Sequence, residues 1–510
     1  MALGVVAFRD GGAEAVGLVA FVRTLPAALL APVGTAFADR FRRDRVLVWS
    51  CLTRAIATGA AATALATGVR ALAIYPLAVV ATAAFRLFRP AHSALLPGLC
   101  NTPLELSSAN VVRGLLDSVS TLLGPLVAAL VLGLSSPAAV FVISALLSLT
   151  AGVLLVGLSY EAPPRGWPQP LRRIARETTE GFRALARYRD AGLLIGLAMA
   201  QALTQGFLYV FVVVLALEQL RMGASGVGLL TAAVGAGAVV SALSASAFVT
   251  GRRLAALEGA GVILWGLPLT LSGVLPHEPV VLVLMGVIGA GNVLVDIGLH
   301  TLPARLVPEK VLARVFGAKA SLTALSIAVG SFVTPLAIDL LGIRGALIVL
   351  GLIAPTLAAL AWQRLRAIDA AIAHRDREIE LLNRISFFRP LPMPAIDELA
   401  SGADRLEVAA GQDVFHQGDR GDRFYVIEEG EAEVIGDGRL VRTLRPGEGF
   451  GEIALLHDTV RTATVHARTL LRLFSLDRRH FLTAVTDYES SGREADALVL
   501  DRLSTFNPAH

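Results

Sequence analysis

Residues 450–465 read FGEIALLHDTVRTATV, and this stretch decides which fold the C-terminal part of the chain can adopt. The glycine at its second position lets the backbone approach a ligand closely. The acidic and apolar residues at 452–456 predict a short helix whose first N–H groups can face an anion. After four intervening residues, Arg461 supplies a planar guanidinium fork that suits a phosphate. The stretch therefore predicts an anion-binding loop.

The residues around this loop are arranged as short strands. Beyond Pro390, apolar and polar residues alternate in short runs such as 424–427 and 432–435, which glycines separate. Such runs are typical of strands joined by tight turns. The pattern predicts a β-jelly roll or small barrel, closed by a helix from about 477 to 503. The expected core contains Phe424, Val426, Val434 and Phe474.

Together the loop and strands resemble the cyclic-nucleotide-binding domain, the family that includes the catabolite activator protein and the cyclic-AMP kinase regulatory subunit. The resemblance covers about 390–485, including the turn at Gly418. It implies that Arg461 binds the cyclic phosphate of cyclic AMP or cyclic GMP and that Glu452 accepts the ribose 2′-hydroxyl. The implied nucleotide-binding residues are Gly451, Glu452, Ile453, Ala454, Arg461, Thr462 and Ala463.

Two other readings of this tail are open. It could be a degenerate domain that binds nothing, although such domains usually lose the arginine or the glutamate, and both are present here. A DNA-binding regulator would need a helix-turn-helix after the closing helix, and none is recognisable before His510. Nucleic acid is therefore not an expected partner.

The rest of the chain has the composition of a membrane protein. Of the 510 residues, 55% are hydrophobic and 17% are charged, against about a quarter charged in an average soluble protein. A bilayer-spanning helix needs about 20 mostly apolar residues. Such runs lie near 16–38, 46–68, 71–96, 109–134, 137–158, 191–217, 225–250, 254–275, 279–302, 313–341 and 342–362. Together with a shorter apolar run at 1–8, these eleven runs predict a polytopic all-α membrane bundle of about twelve helices, of which the first is truncated.

The truncated first helix is the apolar run at 1–8. Eight helical residues span about 12 Å of a hydrocarbon core about 30 Å thick. The run lacks the basic start and the small-residue cleavage site of a signal peptide. We expect the true start to lie about 15–30 residues upstream, enough to complete one span.

Basic residues cluster in alternate loops of the predicted bundle. The basic loops lie near 40–45, 165–189, 252–253, 305–314 and 364–366. Basic loops stay cytoplasmic, and a single assignment of spans puts all five basic loops on the cytoplasmic side. The same assignment predicts that the C-terminal tail is cytoplasmic. The abundance of Ala and Arg indicates a GC-rich bacterial genome, so we expect the bacterial inner membrane.

The spans fall into two halves, at 1–158 and 191–362, joined by a long basic loop at 159–190. This layout, counted with the incomplete helix, resembles the major facilitator superfamily. A polar stretch with apolar residues on one face predicts a linker helix over 363–389, and the nucleotide-binding domain is expected over 390–510.

One loop strengthens this second resemblance. Residues 35–45 read TAFADRFRRDR, where the family has G-x-x-x-D-R-x-G-R-[RK]. Asp39, Arg40 and Arg43 match, whereas Thr35 and Arg42 replace the two glycines. The resemblance implies a cytoplasmic latch between the two halves. A cluster that only sets membrane orientation is the alternative.

Polar side chains inside apolar spans are costly and suggest a solute cavity. Gln201, Gln205 and Tyr209 recur every four residues on one helix face; hydrogen bonding between helices is the alternative reading. Asp296 either carries protons for coupling or pairs with a nearby base. Arg23 is the most deeply placed charge of its predicted helix.

Two functions therefore compete. The first is a secondary transporter of a small solute that works by alternating access and is regulated by a cyclic nucleotide. The second is a membrane-anchored cyclic-nucleotide receptor without transport activity. An enzyme is not expected, because the sequence shows no nucleophile arrangement, metal-ligand spacing or P-loop. The expected partners are the lipid bilayer, an unidentified solute and the cyclic nucleotide.

Overall fold

The computed structural model describes most of the chain. Outside the description lie residues 41–42, 70–72, 96–102, 157–170, 245–252, 392–394, 397–398, 401, 487–492, 496 and 500–510, and for some helical residues, among them 26–40 and 43, only the backbone is described. The chain divides into two compact units, Met1–Asp369 and Ala370–His510. The expected domain boundaries at 362/363 and 389/390 stay predictions.

The first unit consists of α-helices in its described part. They are α1 (Ala2–Arg40), α2 (Arg43–Ala66), α3 (Ile74–Leu95), α4 (Pro103–Leu134), α5 (Pro137–Val156), α6 (Leu171–Arg187), α7 (Arg189–Val214), α8 (Gly223–Leu243), α9 (Leu254–Val274), α10 (Glu278–Leu306) and α11 (Glu309–Arg384). A π-helical turn, Leu215–Gln219, follows α7 directly.

Two of the longest helices are interrupted at glycines. In α1 the dihedrals leave the helical region at Gly11 and Gly12, between the apolar run at 1–8 and the predicted span at 16–38. In α11 they do so at Gly342, whose φ is +70°. Gly342 lies at the predicted boundary between the last two spans. As a glycine it can adopt this φ without a Cβ clash.

Seven of the described helices are long and apolar enough to cross a bilayer. A helix suits this environment because its backbone groups satisfy one another. Along α5, several large apolar side chains are exposed, as expected of a face that meets lipid. The all-α bundle is thus confirmed, whereas the number of about twelve spans stays a prediction.

Small residues bring α8 and α10 close together. A Cβ at Gly237 would clash with the carbonyl oxygen of Gly286, and one at Gly289 would clash with that of Val234. Close approach at glycines is a common way for membrane helices to associate.

The described part of the second unit contains two antiparallel four-stranded sheets. The strands are β1 (Asp404–Val408), β2 (Asp413–Phe415), β3 (Arg423–Glu429), β4 (Ala432–Gly436), β5 (Arg439–Leu444), β6 (Gly449–Phe450), β7 (Thr464–Ala467) and β8 (Leu471–Asp477). Their order is β1-β8-β3-β6 in one sheet and β2-β7-β4-β5 in the other. Two helices, α12 (Glu452–Leu456) and α13 (Arg478–Thr486), accompany them. The predicted small β domain is confirmed.

The predicted core is also confirmed, with one distinction. Phe424, Val426 and Phe474 are buried in a cluster that includes the aromatic rings of Phe387 and Phe481. Val434 is buried in a second cluster, on the side of the cavity described below. The closing helix begins at 478; residues 493–495 and 497–499 are helical as well, and the rest of 487–503 lies outside the description.

Candidate functional site

Gly451 connects β6 to the short helix α12 and shapes the loop between them. Its φ of +92° lies in the left-handed region, which favours glycine. A Cβ at this position would also lie 2.5 Å from Nη1 of Arg461. The residue is therefore required both by the backbone conformation and by the close approach of the arginine.

Arg461 is the central polar group of this region, and its side chain is almost completely buried. Nη1 donates to the carbonyl oxygen of Gly451 (2.9 Å) and Nη2 to that of Arg423 (2.8 Å). The guanidinium lies 4.1 Å from the ring centroid of Phe415. Its buried Nε has no hydrogen-bond partner among the described residues. The guanidinium is thus held in place, with donor capacity left for a ligand.

The electrostatic surroundings of Arg461 are acidic overall. Burial lowers the pKa of the guanidinium, while Tyr425, Asp422 and Glu452 oppose that shift. Asp422 is the nearest carboxylate, with Oδ1 4.0 Å from Nη2, and its own side chain is exposed. Because a guanidinium keeps its proton in proteins, the group remains a cation, and an anionic ligand would meet a charge that water screens poorly.

A cavity of about 300 Å³ lies beside Arg461. All seven residues that the sequence singles out for the nucleotide line it, namely Gly451, Glu452, Ile453, Ala454, Arg461, Thr462 and Ala463. They come from two segments, the start of α12 and the residues just before β7. Glu452 is only 1% exposed, so its carboxylate belongs to the cavity wall and not to the outer surface.

The apolar part of the cavity lining was not predicted from the sequence. It consists of Phe415, Val434, Val441, Leu444, Phe450 and Val465, together with the cation of Arg442. Arg442 forms an ion pair with Glu448. Alternation along β5 was the available signal for Arg442 and Leu444, because every second residue of a strand faces the same side. The cavity therefore has one polar end and one apolar, partly aromatic wall.

In the helical unit, three polar side chains form a chain of hydrogen bonds. Gln201 on α7 donates from Nε2 to Oδ1 of Asn292 on α10 (3.2 Å), and Asn292 donates to Oδ2 of Asp296 (3.1 Å). Two of the predicted transport residues are thus linked through a third that was missed. An asparagine four residues before an intramembrane aspartate was the signal for it.

A different contact joins the two predicted halves of the bundle. The guanidinium of Arg23 on α1 lies 5.8 Å from the ring centroid of Tyr209 on α7. Gln205 is half-buried on the same helix. The side chains predicted to form the cytoplasmic latch, those of Asp39, Arg40 and Arg43, lie outside the described residues.

Two families match the chain. The Major Facilitator Superfamily matches residues 7–330, which covers the helical unit except for its first six residues and its last part. The cyclic nucleotide-binding domain matches residues 405–488, a range that contains the cavity and, apart from the first residue of β1, the eight described strands.

Individual relatives resemble the C-terminal part. The cAMP-dependent protein kinase regulatory subunit of Schizosaccharomyces pombe is 41% identical over 112 residues, 21% of this chain and 27% of that protein. The cGMP-dependent protein kinase egl-4 of Caenorhabditis elegans is 36% identical over 102 residues, 20% of this chain and 13% of that protein. The chain thus spans about a quarter or less of the length of these curated relatives.

Among solved structures, the regulatory domain of Toxoplasma gondii PKA, crystallised with cAMP, is 27% identical and matches with a TM-score of 0.22. The match covers 22% of this chain and 46% of that one. Because one family matches well over half of the chain and the other its C-terminal domain, the chain is a multi-pass membrane protein of the major facilitator superfamily that carries a C-terminal cyclic nucleotide-binding domain.

Proposed function

We propose that this protein is a secondary transporter that moves a small solute by alternating access and is regulated by a cyclic nucleotide bound to its tail. The observation that carries the regulatory part is the buried Arg461 at the polar end of the cavity. In this proposal the protein resides in the bacterial inner membrane with about twelve spans, the tail is cytoplasmic, and the chain performs no enzymatic reaction.

The cavity fits the parts of a purine 3′,5′-cyclic monophosphate. The phosphate would lie against Arg461 and the Gly451 loop, and the ribose 2′-hydroxyl against Glu452. The purine would contact the apolar wall, where Phe415 and Phe450 offer aromatic surface. Relatives named for cAMP and for cGMP match almost equally well, so both nucleotides belong to the proposal.

Polar groups from both halves support the transport part. Alternating access needs a site at the interface between the halves. The contact between Arg23 and Tyr209 spans that interface, and the hydrogen-bonded chain from Gln201 to Asp296 adds polar groups inside the C-terminal half. Such groups are costly within a bilayer unless function requires them.

The end of the first unit offers a route for regulation. The carboxylate of Asp369, near the C-terminal part of α11, accepts the N–H groups of Ala255 (2.8 Å) and Ala256 (2.9 Å) at the start of α9. Arg364, on the same stretch of α11, pairs with Asp190 at the start of α7 (2.6 Å). We call these two contacts the α11 clamp. Displacement of this stretch of α11 would break its contacts with the N-terminal ends of α7 and α9.

Asp369→Ala should release α9 from the α11 clamp. A carboxylate at a helix N-terminus contributes about 0.5–2 kcal/mol, so the amides of Ala255 and Ala256 should exchange hydrogen about 2- to 30-fold faster. Hydrogen exchange of the full chain in lipid nanodiscs measures this. Arg366→Ala, an exposed change on the same helix, is the control and should leave these amides unchanged.

If regulation passes through the α11 clamp, the same hydrogen-exchange experiment should also respond to cyclic nucleotide. Cyclic nucleotide should alter the exchange of these amides in the unmodified chain, and a flexible Gly/Ser insert after Ala371, beyond both residues of the clamp, should abolish that response. Nucleotide affinity, measured by calorimetry, should stay intact. A response that persists with the insert would show that the signal does not pass along α11.

A further inference from the structure

Glu258 lies inside one of the apolar helices, four residues after the start of α9. Its side chain is completely buried, at 0% exposure. Neither carboxyl oxygen has a hydrogen-bond partner among the described residues. Acidic side chains in this situation are rare and indicate a functional site.

The neighbouring helix leaves room for this carboxyl group. A Cβ at Gly298 on α10 would lie 2.7 Å from Cβ of Glu258 and 2.8 Å from its Oε2. Any larger residue at 298 would therefore displace the side chain. The glycine and the glutamate fit together as one built pocket between α9 and α10.

The charges near this pocket come from two further elements. Lys319 on α11 acts electrostatically on Glu258, and it also interacts with Asp296 on α10. On α7, the other helix packed against α9, Asp190 is already paired with Arg364. Lys319 is thus close enough to two carboxyl groups, the buried Glu258 and the exposed Asp296, to interact electrostatically with both.

An ionised carboxylate that is buried without a partner is strongly disfavoured, and such a group takes up a proton instead. We propose that Glu258 is the proton-binding site of this transporter, occupied in the present conformation and emptied when Lys319 moves into ion-pair distance. The inference rests on the proposed transport function and names the proton as the coupling ion. Asp296, the candidate from the sequence, is the second partner of Lys319 in this arrangement.

The proton balance of the step is simple. The O–H bond of Glu258 breaks, the proton passes to water, and the ammonium of Lys319 remains charged and compensates the new carboxylate. Glu258 lies about 6 Å along the helix axis from the start of α9, the end expected to face the cytoplasm. The proton therefore exchanges with the cytoplasmic side.

Infrared spectroscopy of the full chain in lipid nanodiscs tests the proposal without a known solute. At pH 7 the spectrum should contain the C=O stretching band of a buried carboxylic acid, and Glu258→Gln should remove it. Glu278→Gln, at an exposed position at the start of α10, should retain the band. An unchanged helical signal and an unchanged thermal unfolding transition in each variant show that the helical unit is folded.

Lys319→Gln provides the second arm. With the compensating cation removed, the band of Glu258 should persist to a pH about one unit higher or more, a tenfold change in proton affinity. The proposal would be overturned if the unmodified chain and Glu258→Gln gave the same spectrum in the carboxylic-acid region. It would also be overturned if the band of Glu258 disappeared at the same pH in Lys319→Gln as in the unmodified chain. A band present in a chain that moves no solute would instead refute the transport function.

Discussion

Arg461→Gln is expected to weaken the binding of cyclic nucleotide about 10- to 150-fold. The change removes the cation that faces the phosphate, and a charge-assisted hydrogen bond contributes about 1.5–3 kcal/mol, each 1.4 kcal/mol being tenfold in affinity. Calorimetry of the full chain in nanodiscs, with cyclic AMP and with cyclic GMP, measures the loss. Arg461→Lys keeps the charge without the planar fork and should lose less.

The contacts of Arg461 mean that the stability of each variant must be measured alongside its nucleotide affinity. The guanidinium satisfies two backbone carbonyl groups, those of Gly451 and Arg423, so removing it costs stability as well as affinity. Glu452→Ala should cost a similar or smaller amount of affinity and should relax discrimination against a 2′-deoxy ligand. If the unmodified, folded chain binds neither nucleotide at millimolar concentration, the tail is a degenerate domain.

Gly451→Ala is expected to reduce nucleotide affinity about as strongly as loss of the arginine. The new methyl group would lie 2.5 Å from Nη1 of Arg461, and that guanidinium is held by two carbonyl groups and cannot swing away freely. The left-handed conformation adds about 1–2 kcal/mol of strain. Calorimetry gives the affinity, and thermal unfolding gives the loss of stability.

Gly438→Ala is the matched control for this change. Gly438 has a φ of +75°, so a methyl group meets similar backbone strain, but nothing lies within 4 Å of its added Cβ. It should therefore lose stability and keep its affinity for the nucleotide. Equal affinity in the two glycine variants would mean that the close approach to Arg461 does not matter for binding.

The sequence predicted the polar end of the site because its chemistry is local. Gly451, Glu452 and Arg461 lie within eleven residues of one another, and a glycine, an acid and a guanidinium at this spacing are typical of a loop that binds a phosphate. The β pattern predicted the right kind of domain for a similar reason. Alternation and glycine breaks report on strands directly.

The groups that were missed depend on contacts between distant segments. Asn292 is linked to the predicted polar residues by its hydrogen bond with Gln201, which is 91 positions away in sequence. Asp369 caps a helix that begins more than a hundred residues earlier. Glu258 lies within a predicted span, but only the packing around it shows that its carboxyl group has no hydrogen-bond partner among the described residues. Periodicity along one helix shows which face is polar, but not which other helix meets it.

Flux in inside-out membrane vesicles containing the full chain tests regulated transport most directly, since the expected cytoplasmic tail is then exposed to added nucleotide. A panel of labelled solutes is followed with and without cyclic AMP or cyclic GMP, in the unmodified chain and in Arg461→Gln. We expect the flux of at least one solute to change about 5- to 150-fold with nucleotide, as a coupling of about 1–3 kcal/mol implies, and only in the unmodified chain. Nucleotide binding without flux of any solute in the panel would contradict transport and leave a membrane-anchored receptor.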